Sequence, residues 1–252
     1  MAIYRKFAGL YAAGPYPKYS LRMAGQMTSV LARLGAQPRT LLDIACGEGA
    51  FAASMAKAGL AVTALDLSEE MLARARGRVA AEGVAVKFLR ADMRSFALGD
   101  RFDLVTCWYD SLNYLTASED LGAAFAAARR ALAPEGIFIF DMNTPAGLAA
   151  IARSRPVEIV QNRPDAFELH VNTYDPDRNI ATKRIGGLAK RAGSWTAVEE
   201  EHSERAYSLA EIRPLLAASG LEETACWGSI EEMTEPLPEA GRIWFVARAR
   251  LI

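Results

Sequence analysis

"TLLDIACGEGAF", residues 40–51, carries a threonine and two leucines into Asp43, then a glycine-containing turn, then an alanine-rich segment. That order reads as a strand, a tight loop and the start of a helix. A helix N-terminus presents free backbone N–H groups at the positive end of its dipole, so the loop suits a nucleotide or another ligand bearing a carboxylate or phosphate. Ala45 stands where a nucleotide loop usually begins with glycine.

Outward from this stretch, β-rich runs at "RTLLDI", "LAVTALD", "VAVKFLR", "FDLVTCW" and "GIFIFDM" alternate with helical stretches at 49–58, 68–82 and 118–132. Strand and helix in alternation predict an α/β fold, a doubly wound, mostly parallel sheet covered on both faces. Ser68 is the expected N-cap of the second of these helices, with Glu69 and Glu70 in its positive first turn and Gly83 as its stop. Ser118 is expected to repeat the device, with Pro134-Glu135-Gly136 closing that helix. From about 156 to 205 the rhythm becomes strand-like alternation around an Asp-Pro-Asp-Arg-Asn turn, which predicts an antiparallel β insertion over 155–205. The core resumes with a helix at "SLAEIRPLLAASG", a strand at "LEETACWG" and a last strand at "GRIWFVARARL", for seven strands in the main sheet.

With 252 residues, 51% of them apolar, the chain can bury the core of one domain. A net charge of −1 disfavours nucleic-acid binding through a broad basic face. No run of about 18 apolar residues occurs, and "MAIYRKFAGLYAAG" lacks the apolar core of a signal peptide, so the chain reads as cytoplasmic with no membrane partner. Cys46, Cys107 and Cys226 are odd in number and widely spaced, which predicts buried reduced thiols rather than a disulfide frame or a zinc site. No metal is expected.

A dinucleotide loop wants G-x-G-x-x-G with an acid about 20 residues on, and the spacing from Ala45 to Asp66 meets only the second condition. Asp43 discriminates: it would crowd a pyrophosphate but can pair with a ligand ammonium. Together with Ala45 it favours a nucleoside that carries an amino acid.

"LLDIACGEGAF", "ALDLSEEML", "RADMRSF", "FDLVTCWYDSLNYL" and "LAPEGIFIFDMN" resemble the successive motifs of class I S-adenosylmethionine-dependent methyltransferases, over a span from about residue 7 to the C-terminus. The resemblance implies a Rossmann-like methyltransferase fold across 1–252, S-adenosyl-L-methionine as cofactor, and an N-terminal helical lid over 1–35. The usual first motif is D-x-G-x-G-x-G, so Ala45 departs from it at little cost if its φ stays negative. "DSLNYL", the β insertion and "EEHSERAYS" look like enzymes that methylate small amines or sugar amines, by N- or O-methylation.

By the same resemblance Asp66 accepts the ribose hydroxyls, Asp92 and the Met93 N–H meet the adenine, and Gly47 and Gly49 let the backbone approach the methionine moiety. Ala45, Leu67, Met71 and Cys107 complete the cofactor set within these motifs. "FAGLYAAGPYPKY" resembles the tyrosine-containing lid, with Tyr11 and Tyr19 as its contacts and Ala12 where an aspartate is common. Gly14, Pro15 and Pro17 speak against one continuous helix there.

On the acceptor side, Trp108, Tyr109, Asp110, Asn113 and Tyr114 follow the fourth strand, where ligands bind in such sheets. Their rings either face the reacting centre or floor the fold. Tyr109 and His202 are the candidate catalytic residues, His202 competing with a plain strand-surface role in "EEEHSER", and His170 reads as structural. Two other functions fit the same text. A tRNA or RNA methyltransferase would use the locally basic insertion, including Arg163, Arg184 and Lys190, although interspersed acids favour a solvated face. A cofactor-binding protein without catalysis would keep the loop alone.

Overall fold

The computed structural model describes residues 4–191 and 193–250, so Met1–Ile3 of the lid span lie outside the described residues. Two helices open the chain, α1 (Ala8–Ala13) and α2 (Pro17–Arg33), with the break at Gly14 to Tyr16 where glycine and proline place it. The α/β core then runs β1 (Thr40–Ile44), α3 (Ala50–Lys57), β2 (Ala61–Asp66), α4 (Glu69–Glu82), β3 (Val86–Arg90), β4 (Phe102–Cys107), α5 (Ser118–Ala131), β5 (Leu132–Asn143) and α6 (Pro145–Ser154). Four strands follow, β6 (Val157–Arg163), β7 (Ala166–Asp175), β8 (Ile180–Arg191) and β9 (Ser194–Arg205), before α7 (Leu209–Ala218), β10 (Leu221–Trp227) and β11 (Arg242–Ala249).

The main sheet has seven strands in the order β10-β11-β5-β4-β1-β2-β3, with β11 antiparallel to both of its neighbours and β5, β4, β1, β2 and β3 mutually parallel. Strand periodicity sends alternate side chains to opposite layers. Leu41, Leu104, Ile137 and Val246 pack with Met23, Met27, Phe51 and Met55 of α2 and α3, while their neighbours Leu42, Val105, Phe138 and Phe245 pack with Phe125, Ile212 and Leu216 of α5 and α7. Both faces are therefore covered, and the strands read as near-continuous apolar runs for that reason. From β1 the chain moves to β2 on one side and later returns to β4 on the other. The loops leaving β1 and β4 diverge there and open a crevice at the carboxyl edge.

The insertion is a separate antiparallel sheet in the order β6-β7-β8-β9, as its alternation predicts. Its inner face takes the first helix: Phe7 and Leu10 join Ala166, Ile185 and Val198 in a small apolar cluster. Gly187 permits this approach, because a Cβ there would meet Leu10 Cδ1 at 2.6 Å. Helix α2 instead belongs to the core, with Met23, Met27 and Val30 at most 2% exposed.

Ser68 caps α4 by accepting the Met71 N–H, and Gly83 ends it in the left-handed region, as expected. Three local expectations are corrected. Ala117, not Ser118, is the N-cap of α5 and makes no side-chain cap; the Ser118 hydroxyl accepts Arg205 Nη1 at 3.2 Å instead. Pro134 to Gly136 lie within β5, where a register shift against β4 absorbs the extra residues. Of the three free thiols only Cys107 is buried, Cys46 and Cys226 being partly exposed. Among the described residues no helix is long and apolar enough to cross a membrane, and no group of three or more metal-ligating side chains occurs.

Candidate active site

A cavity of about 710 Å³ lies at the carboxyl edge beside the crevice, within the roughly 300–1,000 Å³ of small-molecule sites. The loop after β1 brings Asp43, Ala45 and Gly47 to its wall. Ala45 has φ +55°, so the condition for a cheap alanine is not met: it sits in the left-handed region, at a local cost of about 1–2 kcal/mol. Gly47 has φ +56°, and a Cβ there would project into open space, which leaves backbone exposed to a ligand. Gly49 serves packing instead: a Cβ would fall 2.8 Å from the Ala75 Cβ, so its bare backbone lets α3 and α4 close together.

Asp66, at the end of β2, accepts the Gly47 N–H on Oδ2 and the Ser68 N–H on Oδ1, each at 2.8 Å. Burial raises its carboxyl, opposed by backbone N–H donors from Ser68, Gly47 and Leu67. Its four lone pairs exceed the backbone donors it meets, so this carboxylate can clamp two loops and still receive a ligand hydroxyl. The local tie to Ser68 and the ligand role are thus compatible. Leu67 and Met71 line the cavity beside it, as do Asp92 and Met93 from the loop after β3. Asp92 is already engaged, by Arg94 Nη2 at 2.6 Å and Nε at 3.0 Å, and those hydrogen bonds hold its carboxyl below the usual range.

Asp43 is 2% exposed and accepts the Thr106 hydroxyl at 2.8 Å. Burial pushes its carboxyl up to about 7, the Thr106 bond opposing and the charge of Asp66 adding to the rise. A buried acid of this kind favours a cation beside it. The open backbone at Gly47, the remaining lone pairs of Asp66 and the buried acid Asp43 fit an amino-acid-bearing nucleoside.

After β4 two consecutive non-glycine residues are left-handed, Tyr109 at φ +60° and Asp110 at φ +53°. Both of their N–H groups donate to the Asp141 carboxylate, at 2.7 and 3.1 Å. Arg242 closes the arrangement by pairing with Asp141 and, at 2.9 Å, with Asp110. Its guanidinium lies 4.9 Å from the Tyr19 ring centre and 5.7 Å from that of Tyr109, and the two rings stack at 4.4 Å. Tyr109 thereby reaches the cavity wall, with Tyr11 opposite on α1. Burial raises the Tyr109 phenol further above neutrality, which makes it a hydrogen-bond donor rather than a base.

Tyr19, Gly49, Cys107, Asp110, Asn113 and His202, all singled out from the sequence, do not line this cavity. Tyr19 acts behind it through Tyr109, and Cys107 packs in the core between sheet and α5. His202 is not a surface histidine: it is 1% exposed, with Nδ1 bonded to Tyr114 Oη at 2.9 Å and Nε2 to Glu200 at 3.1 Å. It lines a smaller chamber of about 40 Å³ that shares Tyr4, Tyr11, Tyr109 and Tyr114 with the main cavity. Trp108 is buried edge-on against Phe51 and also lines the main cavity. His170 is buried and bonded to Glu168 at 2.7 Å. Arg155, Arg163 and Arg184 of the insertion pair with Glu158, Asp165 and Glu199 on an exposed surface, which suits a solvated face. Sequence reasoning missed Asp141, Arg242, Glu200 and Glu204.

A family model described as a methyltransferase domain matches residues 41–136. YqeM of Bacillus subtilis (strain 168), described provisionally as a methyltransferase, is 26% identical over 251 residues, spanning 98% of this chain and 97% of that protein. The dTDP-3-amino-3,4,6-trideoxy-alpha-D-glucopyranose N,N-dimethyltransferase of Streptomyces venezuelae is 36% identical over 102 residues, 40% of this chain and 41% of that one. A solved S-adenosylmethionine-dependent methyltransferase from Clostridium acetobutylicum ATCC 824 superposes with a TM-score of 0.81 at 24% identity, covering 99% and 100% of the two chains. Residues 41–136 thus match a methyltransferase domain, and the whole chain shares the fold of the S-adenosylmethionine-dependent methyltransferase from Clostridium acetobutylicum.

Proposed function

We propose that the protein methylates the amine of a small-molecule acceptor. The observation that carries this reading is the side chamber, where buried Asp110 and Glu204 stand among the rings of Tyr4, Tyr11, Tyr109 and Tyr114. Glu204 is 4% exposed, accepts one long hydrogen bond from Asn143 at 3.4 Å and lies 3.9 Å from Lys183 Nζ. Burial first and the neighbouring charge of Asp110 second raise its carboxyl. Acids in a ring of aromatic faces suit an ammonium. The amino-sugar relative from Streptomyces venezuelae supports the same class of acceptor.

Bound S-adenosylmethionine supplies a methyl group on a positively charged sulfur. Asp66 would hold its ribose, Asp43 its ammonium, and Asp92 with the Met93 N–H its adenine. Tyr11 and Tyr109 would exclude water around the acceptor, and α1 would form the cover over both, supported by its seat on the insertion. The reading includes a cytoplasmic setting, supported by three free thiols. The test is incubation with S-adenosylmethionine and a panel of amino sugars, amino-sugar nucleotides and their hydroxyl counterparts, read by mass. A gain of one or two methyl groups on amines is the expected result; methylation of the hydroxyl set alone, or of nothing, overturns it.

Asp43 also gives the donor site a pH dependence. A ligand ammonium favours the ionised carboxylate, so affinity for S-adenosylhomocysteine is lost as pH falls through about 7, where Asp43 titrates. Calorimetry should find the dissociation constant rising by up to about tenfold per pH unit below that point and level above it. Asp43→Asn should flatten the profile; a wild-type profile already flat from about pH 5.5 to 8 would place the ammonium elsewhere. Without ligand the sign reverses, because the unfolded chain ionises first, so this raised carboxyl costs stability as pH climbs toward 7.

A further inference from the structure

The amine reading leaves a proton to be disposed of, and a chain of hydrogen bonds leads away from the cavity. Tyr114 Oη, on the wall of both chambers, lies 2.9 Å from Tyr4 Oη and 2.9 Å from His202 Nδ1; His202 Nε2 lies 3.1 Å from Glu200 Oε2. We infer that Tyr114, backed by His202 and Glu200, passes the acceptor's proton out of the reacting cavity. The inference rests on the methyl-transfer reading for its acceptor, though not for its geometry.

Glu200 sets the direction of the chain. Its Oε1 accepts the N–H groups of Arg5, Lys6 and Phe7 at 2.6 to 3.0 Å, and its Oε2 accepts that of Tyr4 at 2.8 Å. Burial would raise this carboxyl, but hydrogen bonds from His202 and from the Phe7, Tyr4 and Lys6 N–H groups bring it down to about 2. It stays ionised, orients the ring and is not itself protonated. A carboxylate at Nε2 requires an N–H there, which leaves the Nδ1 lone pair to accept the Tyr114 hydroxyl. With its own hydrogen directed at His202, the Tyr114 oxygen has its lone pairs turned toward Tyr4 and the cavity.

The proton balance follows. As the acceptor's N–H proton moves to Tyr114 Oη, the original phenol proton moves to His202 Nδ1, and the imidazolium so formed is paired with Glu200. Tyr114 ends as it began, a neutral phenol, and one proton has moved from the acceptor to His202. Burial holds the Tyr114 phenol well above its ordinary value, which suits a simultaneous exchange rather than a phenolate. Tyr114 is the catalytic residue in this scheme, and His202 and Glu200 are positioning residues acting through it.

Other groups bear on the ring: Glu204 on the same strand, Lys183 opposite it on β8, Asp110 after β4, and His170 on β7 across the chamber. A second carboxylate–histidine pair, Glu168 and His170, repeats the spacing but is joined to Tyr16, which lines only the side chamber. The two pairs are thus distinguished by reach, not by composition. The Glu200 carboxylate also holds the start of the segment leading into α1, so the contact that seats the cover is the one that orients the relay.

The first test needs no acceptor. Nitrogen-15 NMR of the full-length protein at neutral pH, with the two histidines assigned through His202→Asn, is expected to show His202 protonated at Nε2 and bare at Nδ1. A proton on Nδ1 would overturn the relay, since Tyr114 could then only accept. The second uses whichever amine of the panel is methylated. Tyr114→Phe should lower kcat about 100-fold while S-adenosylhomocysteine affinity changes less than twofold, and His202→Asn should lower kcat with KM unchanged. Unchanged kcat, or a loss confined to KM, would refute it. If the wild type methylates nothing, the amine reading fails and the NMR result alone decides the relay.

Discussion

Arg242→Met is expected to lower the unfolding free energy by about 3–5 kcal/mol, because it strands two carboxylates that this guanidinium compensates. Asp141 is fully buried and Asp110 is 7% exposed, and Arg242 from the neighbouring strand pairs with both. Methionine fills much the same volume, so the loss is of charge rather than of packing. The deficit should shrink as pH is lowered, since burial raises the Asp141 carboxyl and its protonated form needs no partner. Urea unfolding at about pH 8 and about pH 5 measures this, with Arg242→Met/Asp141→Asn expected to recover part of the loss. A deficit below about 1 kcal/mol at the higher pH would mean that solvent reaches these acids.

The same pairing explains a backbone feature. Two successive left-handed residues cost of order 1–3 kcal/mol each, and they persist where surrounding structure over-determines them. Here the Asp141 carboxylate takes both N–H groups, and Arg242 holds that carboxylate in place. The arrangement turns Tyr109 out of the strand direction into the cavity. Arg242→Met should therefore also weaken the Tyr19–Tyr109 stack, which makes the stability defect and any loss of turnover two readings of one contact.

Which parts of this were legible in the sequence follows from the distance over which the physics acts. The parallel sheet, the loop after β1 and the antiparallel insertion are local patterns, and each stands where its periodicity places it. Ala45 stands on the cavity wall as expected, but its left-handed φ leaves no mark in composition. "EEEHSER" looks like a solvated run, yet strand alternation sends Glu199 and Glu201 outward and Glu200, His202 and Glu204 inward, a signal that period two alone contains. Which partners those inward groups meet was not legible. Glu200 captures N–H groups 193 to 196 positions earlier, and Asp141 meets Arg242 across 101 positions, pairings set by topology.

Asp66→Ala is expected to weaken S-adenosylhomocysteine binding by about 1.5–3 kcal/mol, some 10- to 150-fold, while leaving the protein folded. Two losses combine. The ribose hydroxyls would lose charge-assisted acceptors, and the Gly47 and Ser68 N–H groups, now clamped at 2.8 Å, would be released, so the loops after β1 and β2 would no longer be held in register. The comparison with Asp92 sharpens the expectation. Its carboxylate is shared with Arg94, which would remain to face the adenine, so Asp92→Ala should cost less, about 1 kcal/mol. Asp66→Asn should fall between wild type and alanine, because the amide keeps one acceptor but loses the charge and places a donor toward a backbone N–H. Calorimetry on the three variants, with circular dichroism to confirm folding, gives the ranking. An Asp66→Ala protein that is folded and binds as tightly as wild type would show that the ribose is held by other residues, and a larger loss in Asp92→Ala would make the adenine end the stronger anchor.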